Sequence, residues 1–427
     1  MNYQMKNNIE KKLQEKWIKK EDLEKRDEIL SWTKDKKSQN AKSCYEVMVH
    51  KLCNEKCFFC SQDHASRIKE VKPNDKEIYK RILFWKKQWY WMLGFTWGEP
   101  LIHPNIIKYI KFASKAWFRL VRIQTNWVML WKPWFAKKCV DAWATLFKFS
   151  IHHYKPEIHD YLVWLPWALE KVEYWIKELK KLWCRIWINI VLTKQNYKDL
   201  PEFLLHYLDM WVTSFVIIFP LYENSMKDEA EKVWFKFSDA IYYVVKSLHI
   251  FDKLWLKRPL VLNLPMCLLP WYESAIIQTF NWTAVLNLDW SKTNIDDNKA
   301  AWKKRVKICN NCKYNKICFW VDENYLNFWW EEEFQEKKEK LNFNFSLDDL
   351  KIKNYFTDNE LCLIEILKYK NNLKIKEIAQ LKDKFQICKD CDNMDKIWEV
   401  EESLLKKWII FIKWEWLEKV YSLIPKK

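Results

Sequence analysis

A chain of 427 residues with only two glycines lacks the residue on which tight turns depend, and this shortage constrains the sequence more than any other feature. Glycine takes up positive φ without steric cost and lets one backbone approach another closely. Soluble domains carry ~7% of it. The sequence also holds 30 tryptophans, and the two residue types together number 32 of 427, which is close to an ordinary glycine share. The tryptophans stand where chains use glycine. Trp127 follows Thr125-Asn126, Trp167 follows Pro166, and Trp271 follows Leu269-Pro270. Trp117, Trp183, Trp211 and Trp408 each come where a helix should stop before a strand, the usual post of a C′ glycine. We read most of these tryptophans as glycines in the organism. The gene then belongs to a lineage that reads UGA as glycine, translated here with UGA as tryptophan.

The remaining composition is that of a globular protein of two or three domains, 49% hydrophobic and 30% charged. No stretch offers the ~20 uninterrupted apolar residues of a membrane span. Residues 1–42 are polar and lack the apolar segment of a signal peptide. The expectation is a cytoplasmic protein with no membrane partner. Thirteen cysteines, several tightly clustered, favour metal ligation over a disulfide framework. The net charge of +17 permits a nucleic-acid partner without demanding one. A/T-biased genomes produce the same lysine excess.

From residue 45 onward, short β-branched runs alternate with amphipathic stretches. Strands are predicted at 45–49, 90–95, 120–124, 145–151, 185–192 and 214–219, with helices at 76–88, 105–116, 135–141, 167–182, 200–209 and 232–251. Six strands alternating with helices indicate a parallel α/β sheet or barrel, whose ligands gather at the carboxyl ends of the strands. An N-terminal helical segment is expected at 1–43.

The first strand leads into Cys53-Asn54-Glu55-Lys56-Cys57-Phe58-Phe59-Cys60, a C-x3-C-x2-C loop. Three thiolates on one loop suit an iron–sulfur cluster and leave one iron without a protein ligand. A zinc site completed by His64 is the alternative. The spacing, with Phe59 before the last cysteine, resembles the cluster loop of the radical S-adenosylmethionine (SAM) superfamily. The resemblance runs from about 44 to 335 and implies a partial (β/α)6 TIM-like barrel at 44–255. It implies a four-iron cluster on Cys53, Cys57 and Cys60, with SAM chelated at the open iron. One electron then cleaves SAM to methionine and a 5′-deoxyadenosyl radical, supplied by a donor such as flavodoxin or ferredoxin. A second family motif, a Gly-Gly-Glu-Pro turn that contacts the SAM amino group, corresponds to Trp97-Gly98-Glu99-Pro100. The chain departs from it at Trp97, where a literal indole would crowd SAM. The resemblance further places Ser150, His152 and Asn189 at the SAM carboxylate and ribose, with Thr125-Asn126 facing the same mouth. His152, His153 and His159 read equally well as polar residues of a barrel rim.

A second set, Cys309-x2-Cys312-x5-Cys318, precedes Trp320 and Trp329-Trp330. With glycine at 320 and 329 it resembles an auxiliary-cluster (SPASM or twitch) region, a small Cys-rich domain at 256–335, with Cys267 as fourth ligand of a second four-iron cluster. Four thiolates satisfy a structural zinc equally well. A charged run at 331–340 leads to the tail, 346–427. Helices at 361–368, 375–381 and 395–406 and strands at 408–413 and 419–423 resemble a winged helix, with glycines at 408, 414 and 416. Cys388 and Cys391 are read as incidental or redox-sensitive. The implied function is a radical SAM enzyme acting on an unknown substrate, with a peptide as the leading class. The alternatives are a zinc-stabilised nucleic-acid-binding protein and a non-catalytic scaffold of the same fold.

Overall fold

The computed structural model describes residues 44–62, 64, 74–86, 90–116, 118–131, 133–182, 184–222, 225–276, 284–286, 292–294, 303–315, 318, 320–334, 343–346, 348–382, 397–407, 410–415 and 418–423. The expected N-terminal helical segment, Cys388, Cys391, Trp117, Trp183, Trp408 and Trp416 lie outside these residues.

Seven parallel strands form the body: β1 (Cys44–Met48), β2 (Met92–Thr96), β3 (Leu120–Thr125), β4 (Leu146–Ser150), β5 (Arg185–Val191), β6 (Phe215–Ile218) and β7 (Leu260–Leu262). Each pairs with the next in sequence, so the order never reverses. That is the winding of a barrel sheet rather than of a doubly wound one. Beyond β1 come β8 (Ala284–Leu286), parallel to it, and β9 (Lys292–Asn294), antiparallel to β8. Strands β7 and β9 form the two edges, so the sheet is an open partial barrel.

Alternation fixes the faces. Tyr45, Val47, Leu93, Phe95, Ile123, Phe147, Phe149, Ile188 and Ile217 join the hydrophobic core beneath the helices. The helix Ala168–Lys181 packs there through Leu169, Val172, Ile176 and Leu179, spaced as one helical stripe. The other face carries Glu46, Thr96, Arg122, Gln124, Ser150 and Asn189. Arg122 pairs with Glu46 across Gly94. A Cβ at Gly94 would lie 2.9 Å from the Arg122 guanidinium.

The sequence indicated six strands and an auxiliary domain from 256. The sheet instead continues through β7, β8 and β9, which lie inside that range. Three-residue strands are too short to show a period. The helix Pro156–Val163 was also unforeseen. Past the barrel, β10 (Lys303–Lys304) and β11 (Val321–Asp322) form an antiparallel ribbon around the second cysteine set. In the tail, β12 (Leu373–Lys374), β13 (Ile410–Glu415) and β14 (Glu418–Leu423) form an antiparallel sheet of order β12-β14-β13. It accompanies helices Asp358–Tyr369, Ile375–Lys382 and Ile397–Lys406. Thr357 and Glu360 close a capping box on the first of these helices, and Lys407 donates to the buried Glu360 carboxylate at 2.8 Å. Strand β12 was not foreseen. Trp414, read as a turn glycine, pairs with Lys419 inside the hairpin.

The backbone bears directly on the tryptophans. Among the described residues, thirteen non-glycine residues have positive φ, and ten of them are tryptophan: 97, 127, 143, 164, 167, 211, 255, 271, 320 and 330. The other three are Asn263, Lys351 and Asn372. Asparagine tolerates this region, whereas a bulky residue there is an outlier. Each such residue costs ~1–2 kcal/mol, so ten cost ~10–20 kcal/mol against a net stability of ~5–15 kcal/mol for a folded protein. Trp143, Trp211 and Trp255 each follow a helix, and Trp164 is the left-handed cap of Pro156–Val163. The glycine expected at 329 belongs at 330, since Trp329 lies inside the helix Glu323–Trp329 while Trp330 has φ 66°. Trp175 and Trp234 sit as true tryptophans would, buried and with ordinary backbone. The Trp234 indole N–H donates to the Met226 carbonyl at 3.0 Å.

Candidate functional site

The cluster loop leaves β1 at the carboxyl end of the sheet. Its backbone is pinned to a helix end: the N–H groups of Lys56 and Phe58 donate to the carbonyls of Val163 and Leu162, both at 3.2 Å. These are orphan carbonyls of the last turn of Pro156–Val163, so the unforeseen helix braces the loop. Phe59 is buried against the His152 ring, centroids 4.1 Å apart. Cys53, Cys57 and Cys60 are half-buried and form no disulfide. Desolvation foremost, and then the Glu55 carboxylate and the other two thiols, hold Cys57 well above the usual thiol value. Asn126 joins the loop to the end of β3, its amide reaching Cys53 Sγ at 3.7 Å and donating to Asn54 Oδ1 at 2.8 Å. The Gln62 N–H donates to Cys60 Sγ at 3.4 Å.

The turn after β2 lies against the start of the loop. The Glu99 N–H donates to the Leu52 carbonyl at 2.8 Å. Gly98 has φ +56°, and a Cβ there would fall 2.3 Å from that same oxygen. Only glycine fits this position. Trp97, half-buried with φ 69°, precedes it, so the turn calls for two glycines in succession. The Glu99 side chain faces inward and is fully buried. Its carboxylate accepts from Leu101 N at 2.8 Å, Thr125 Oγ1 at 2.7 Å and Asn126 N at 2.6 Å. Burial raises its pKa to about 7, against the pull of those three donors. Glu99 therefore ties the turn to the end of β3, and Pro100 opens the short 3-10 helix Pro100–Ile102.

Ser150 and Asn189 are register partners on β4 and β5. Asn189 is buried, and its Oδ1 has no hydrogen-bond partner. His152 serves the framework. Its Nδ1 accepts from Val191 N at 3.1 Å, and its backbone N–H donates to His159 Nδ1 at 3.1 Å. Burial lowers both pKa values, that of His159 to about 3. His153 Nε2 lies 3.0 Å from Asp199 Oδ2. All three histidines are buried.

Cys267, Cys309, Cys312 and Cys318 line one small cavity with Pro265, Trp320 and Phe334. Burial, and then the three other thiols, push Cys267 up to about 12. The Trp320 N–H donates to Cys318 Sγ at 3.3 Å, with Trp320 at φ 61°.

Among the described residues no three His, Cys, Asp or Glu side chains close on a point as a single metal ion requires. A cluster binds its thiolates through different irons, so it tolerates a wider spread than one tetrahedral ion. The loop fits such a cluster in its three thiols and in the N–H donors at Cys53 and Cys60. The mouth fits SAM in the glycine-only cradle at Gly98 and the orphaned buried Asn189 Oδ1. Sequence reasoning gave Asn126 only a general place at the mouth, because its bond to the loop spans more than seventy residues.

The model of the Radical SAM superfamily matches residues 47–206. No curated protein matches the chain. Among solved structures, SuiB of Streptococcus suis bound to precursor peptide SuiA is similar at 12% identity and a TM-score of 0.50, covering 69% of this chain and 75% of that one. SuiB bound to S-adenosylmethionine is similar at 14% identity and a TM-score of 0.50, covering 77% and 85%. At these identities the likeness speaks of fold, and it extends through most of both chains. The family match covers the cluster loop, the Gly98 turn and strands β2 to β5, so this chain carries a radical SAM domain at residues 47–206.

Proposed function

We propose that this chain cleaves SAM reductively at a four-iron cluster on Cys53, Cys57 and Cys60 and modifies a peptide or protein. One observation carries the reading. The glycine-only turn at Gly98 adjoins the cysteine loop through the Glu99–Leu52 hydrogen bond of 2.8 Å, so two motifs distant in sequence make one mouth. The cluster, when bound, supplies one electron to SAM, whose cleavage yields methionine and a hydrogen-abstracting 5′-deoxyadenosyl radical.

The chain's own residues hold and shape that site. Asn126 steadies Cys53 and Asn54 from β3. Glu99 fixes the turn from beneath, so the backbone of Trp97 and Gly98 faces the mouth. Ser150 and the unpaired Asn189 Oδ1 offer polar contacts to SAM, and Phe59 and His152 wall off water. Cys267, Cys309, Cys312 and Cys318 hold an auxiliary four-iron cluster in their shared cavity. The peptide class rests on likeness to SuiB, whose structure holds precursor peptide SuiA, and on a winged-helix-like tail that suits peptide capture.

The test uses the chain carrying glycine at the ten positive-φ tryptophan positions, reconstituted anaerobically with iron and sulfide. Adding SAM to the dithionite-reduced protein should change its electron paramagnetic resonance spectrum. The change should vanish in Cys57→Ala. A spectrum indifferent to SAM in the iron-loaded parent would leave a scaffold of the same fold in place of the enzyme.

A further inference from the structure

The cavity of the second cysteine set contains a polar side chain that ligation does not use. Asn315 stands midway between Cys312 and Cys318 in the sequence. Its N–H donates to the Cys312 carbonyl at 3.0 Å, and the Cys318 N–H donates to the Tyr314 carbonyl at 2.9 Å. The turn that carries two of the thiols therefore fixes Asn315 as well. Asn315 lines the cavity beside the four cysteines, in a wall otherwise built by Pro265, Val306, Ile308, Val321 and Phe334.

The Asn315 Oδ1 is buried and has no hydrogen-bond partner. A buried acceptor left in that state loses its hydration and gains nothing in return. Thiolate and sulfide sulfurs accept hydrogen bonds, so they give an amide oxygen no partner. A half-turn about the Asn315 Cβ–Cγ bond puts the NH2 group where the oxygen stood, and the same side chain then matches a site walled by sulfur. One donor of this kind is already in place, the Trp320 N–H at 3.3 Å from Cys318 Sγ. It is a backbone group, which glycine at 320 keeps.

We infer that Asn315 donates a side-chain N–H to a sulfur of the auxiliary cluster and raises the reduction potential of that cluster. The inference rests on the four-iron cluster proposed on Cys267, Cys309, Cys312 and Cys318. A reduced cluster carries one more negative charge than an oxidised one, and hydrogen bonds to its sulfurs stabilise the added charge.

The experiment is a dithionite titration of the glycine-bearing chain, loaded with iron and sulfide and followed by electron paramagnetic resonance. The signal that responds to SAM reports the cluster on Cys53, Cys57 and Cys60, and the signal indifferent to SAM reports the auxiliary one. In Asn315→Leu the reduction equilibrium of the indifferent signal should fall about threefold to tenfold, a shift of about 30–60 mV to more negative potential at about 59 mV per tenfold. Asn315→Asp, which puts a charged acceptor at the same place, should shift it further the same way. Both variants should keep about eight irons per chain, and the SAM-responsive midpoint should not move. An unmoved auxiliary midpoint in both variants overturns the inference, as does an equal shift of both signals. Loss of the auxiliary irons from both variants also overturns it, because Asn315 then serves packing alone. A parent with about four irons per chain, or with stoichiometric zinc, removes the auxiliary cluster and this inference together.

Discussion

Replacing Trp164, Trp167, Trp271 and Trp330 by glycine should stabilise this chain. These four are 59%, 68%, 56% and 70% exposed, with φ of 52°, 63°, 74° and 66°, so little packing is lost with the indole. Relief of the left-handed backbone contributes ~1–2 kcal/mol per site. The greater freedom of glycine in the unfolded chain takes back ~0.4–1 kcal/mol. The net gain is ~0.5–1 kcal/mol per site. It should be smallest at Trp164 and Trp271, where Lys56 and Lys313 lie over the rings at 4.8 and 5.6 Å, contacts worth ~0.5–1 kcal/mol when exposed. Together the four should contribute ~1–2 kcal/mol once those two contacts are subtracted, read from urea unfolding followed by circular dichroism. Trp175→Gly is the control. That side chain is buried inside the helix Ala168–Lys181, and its loss should cost ~3–5 kcal/mol for the cavity and ~1 kcal/mol for glycine in a helix. If all four exposed replacements destabilise the chain as the control does, the glycine reading of these positions is wrong. Peptide masses from the native protein provide the parallel test, and glycine should be found at each of the ten.

Gly98→Ala should fold yet lose more than about a hundredfold in SAM cleavage, because its Cβ meets the Leu52 carbonyl at 2.3 Å and such contacts shift the backbone; a rate near that of the parent would contradict the close approach. His159 has a folded pKa of about 3, lowered by burial, so the unfolded chain binds the extra proton and stability falls as pH drops below ~6.5. By pH 5.5 the loss is about 1.4 kcal/mol from this residue, and His159→Asn should flatten that part of a urea-midpoint profile between pH 7.5 and 5.5. Cys267→Ala should lower bound iron from about eight to about four per chain while the SAM-dependent spectral change survives; unchanged iron, or stoichiometric zinc in the parent, would contradict an auxiliary cluster.

Much of the barrel could be read from the sequence, because β1 to β6 are β-branched or aromatic runs, each followed by an amphipathic stretch. Strands β7, β8, β9 and β12 could not, since two or three residues carry no period and gain their place only by pairing. The cysteine loop was legible through spacing alone. Its bracing was not: the carbonyls of Leu162 and Val163 that hold Lys56 and Phe58 belong to a helix more than a hundred residues away. Glu99 shows the same limit. The motif marks it as functional, but only the fold reveals that its carboxylate turns inward to Thr125 and Asn126. The tryptophans ran the other way. Their positions before strands and after prolines signalled turns, and the backbone gave ten of them the left-handed φ that only glycine takes freely.

The central claim is that Cys53, Cys57 and Cys60 make this chain a SAM-cleaving enzyme, and its most direct test is the product. The glycine-bearing chain, reconstituted with iron and sulfide without oxygen, is given SAM and dithionite, and 5′-deoxyadenosine is quantified beside Cys57→Ala. The account predicts deoxyadenosine from the parent and none above background from the variant. An iron-loaded parent that leaves SAM intact, or a Cys57→Ala variant that cleaves it equally well, would contradict it.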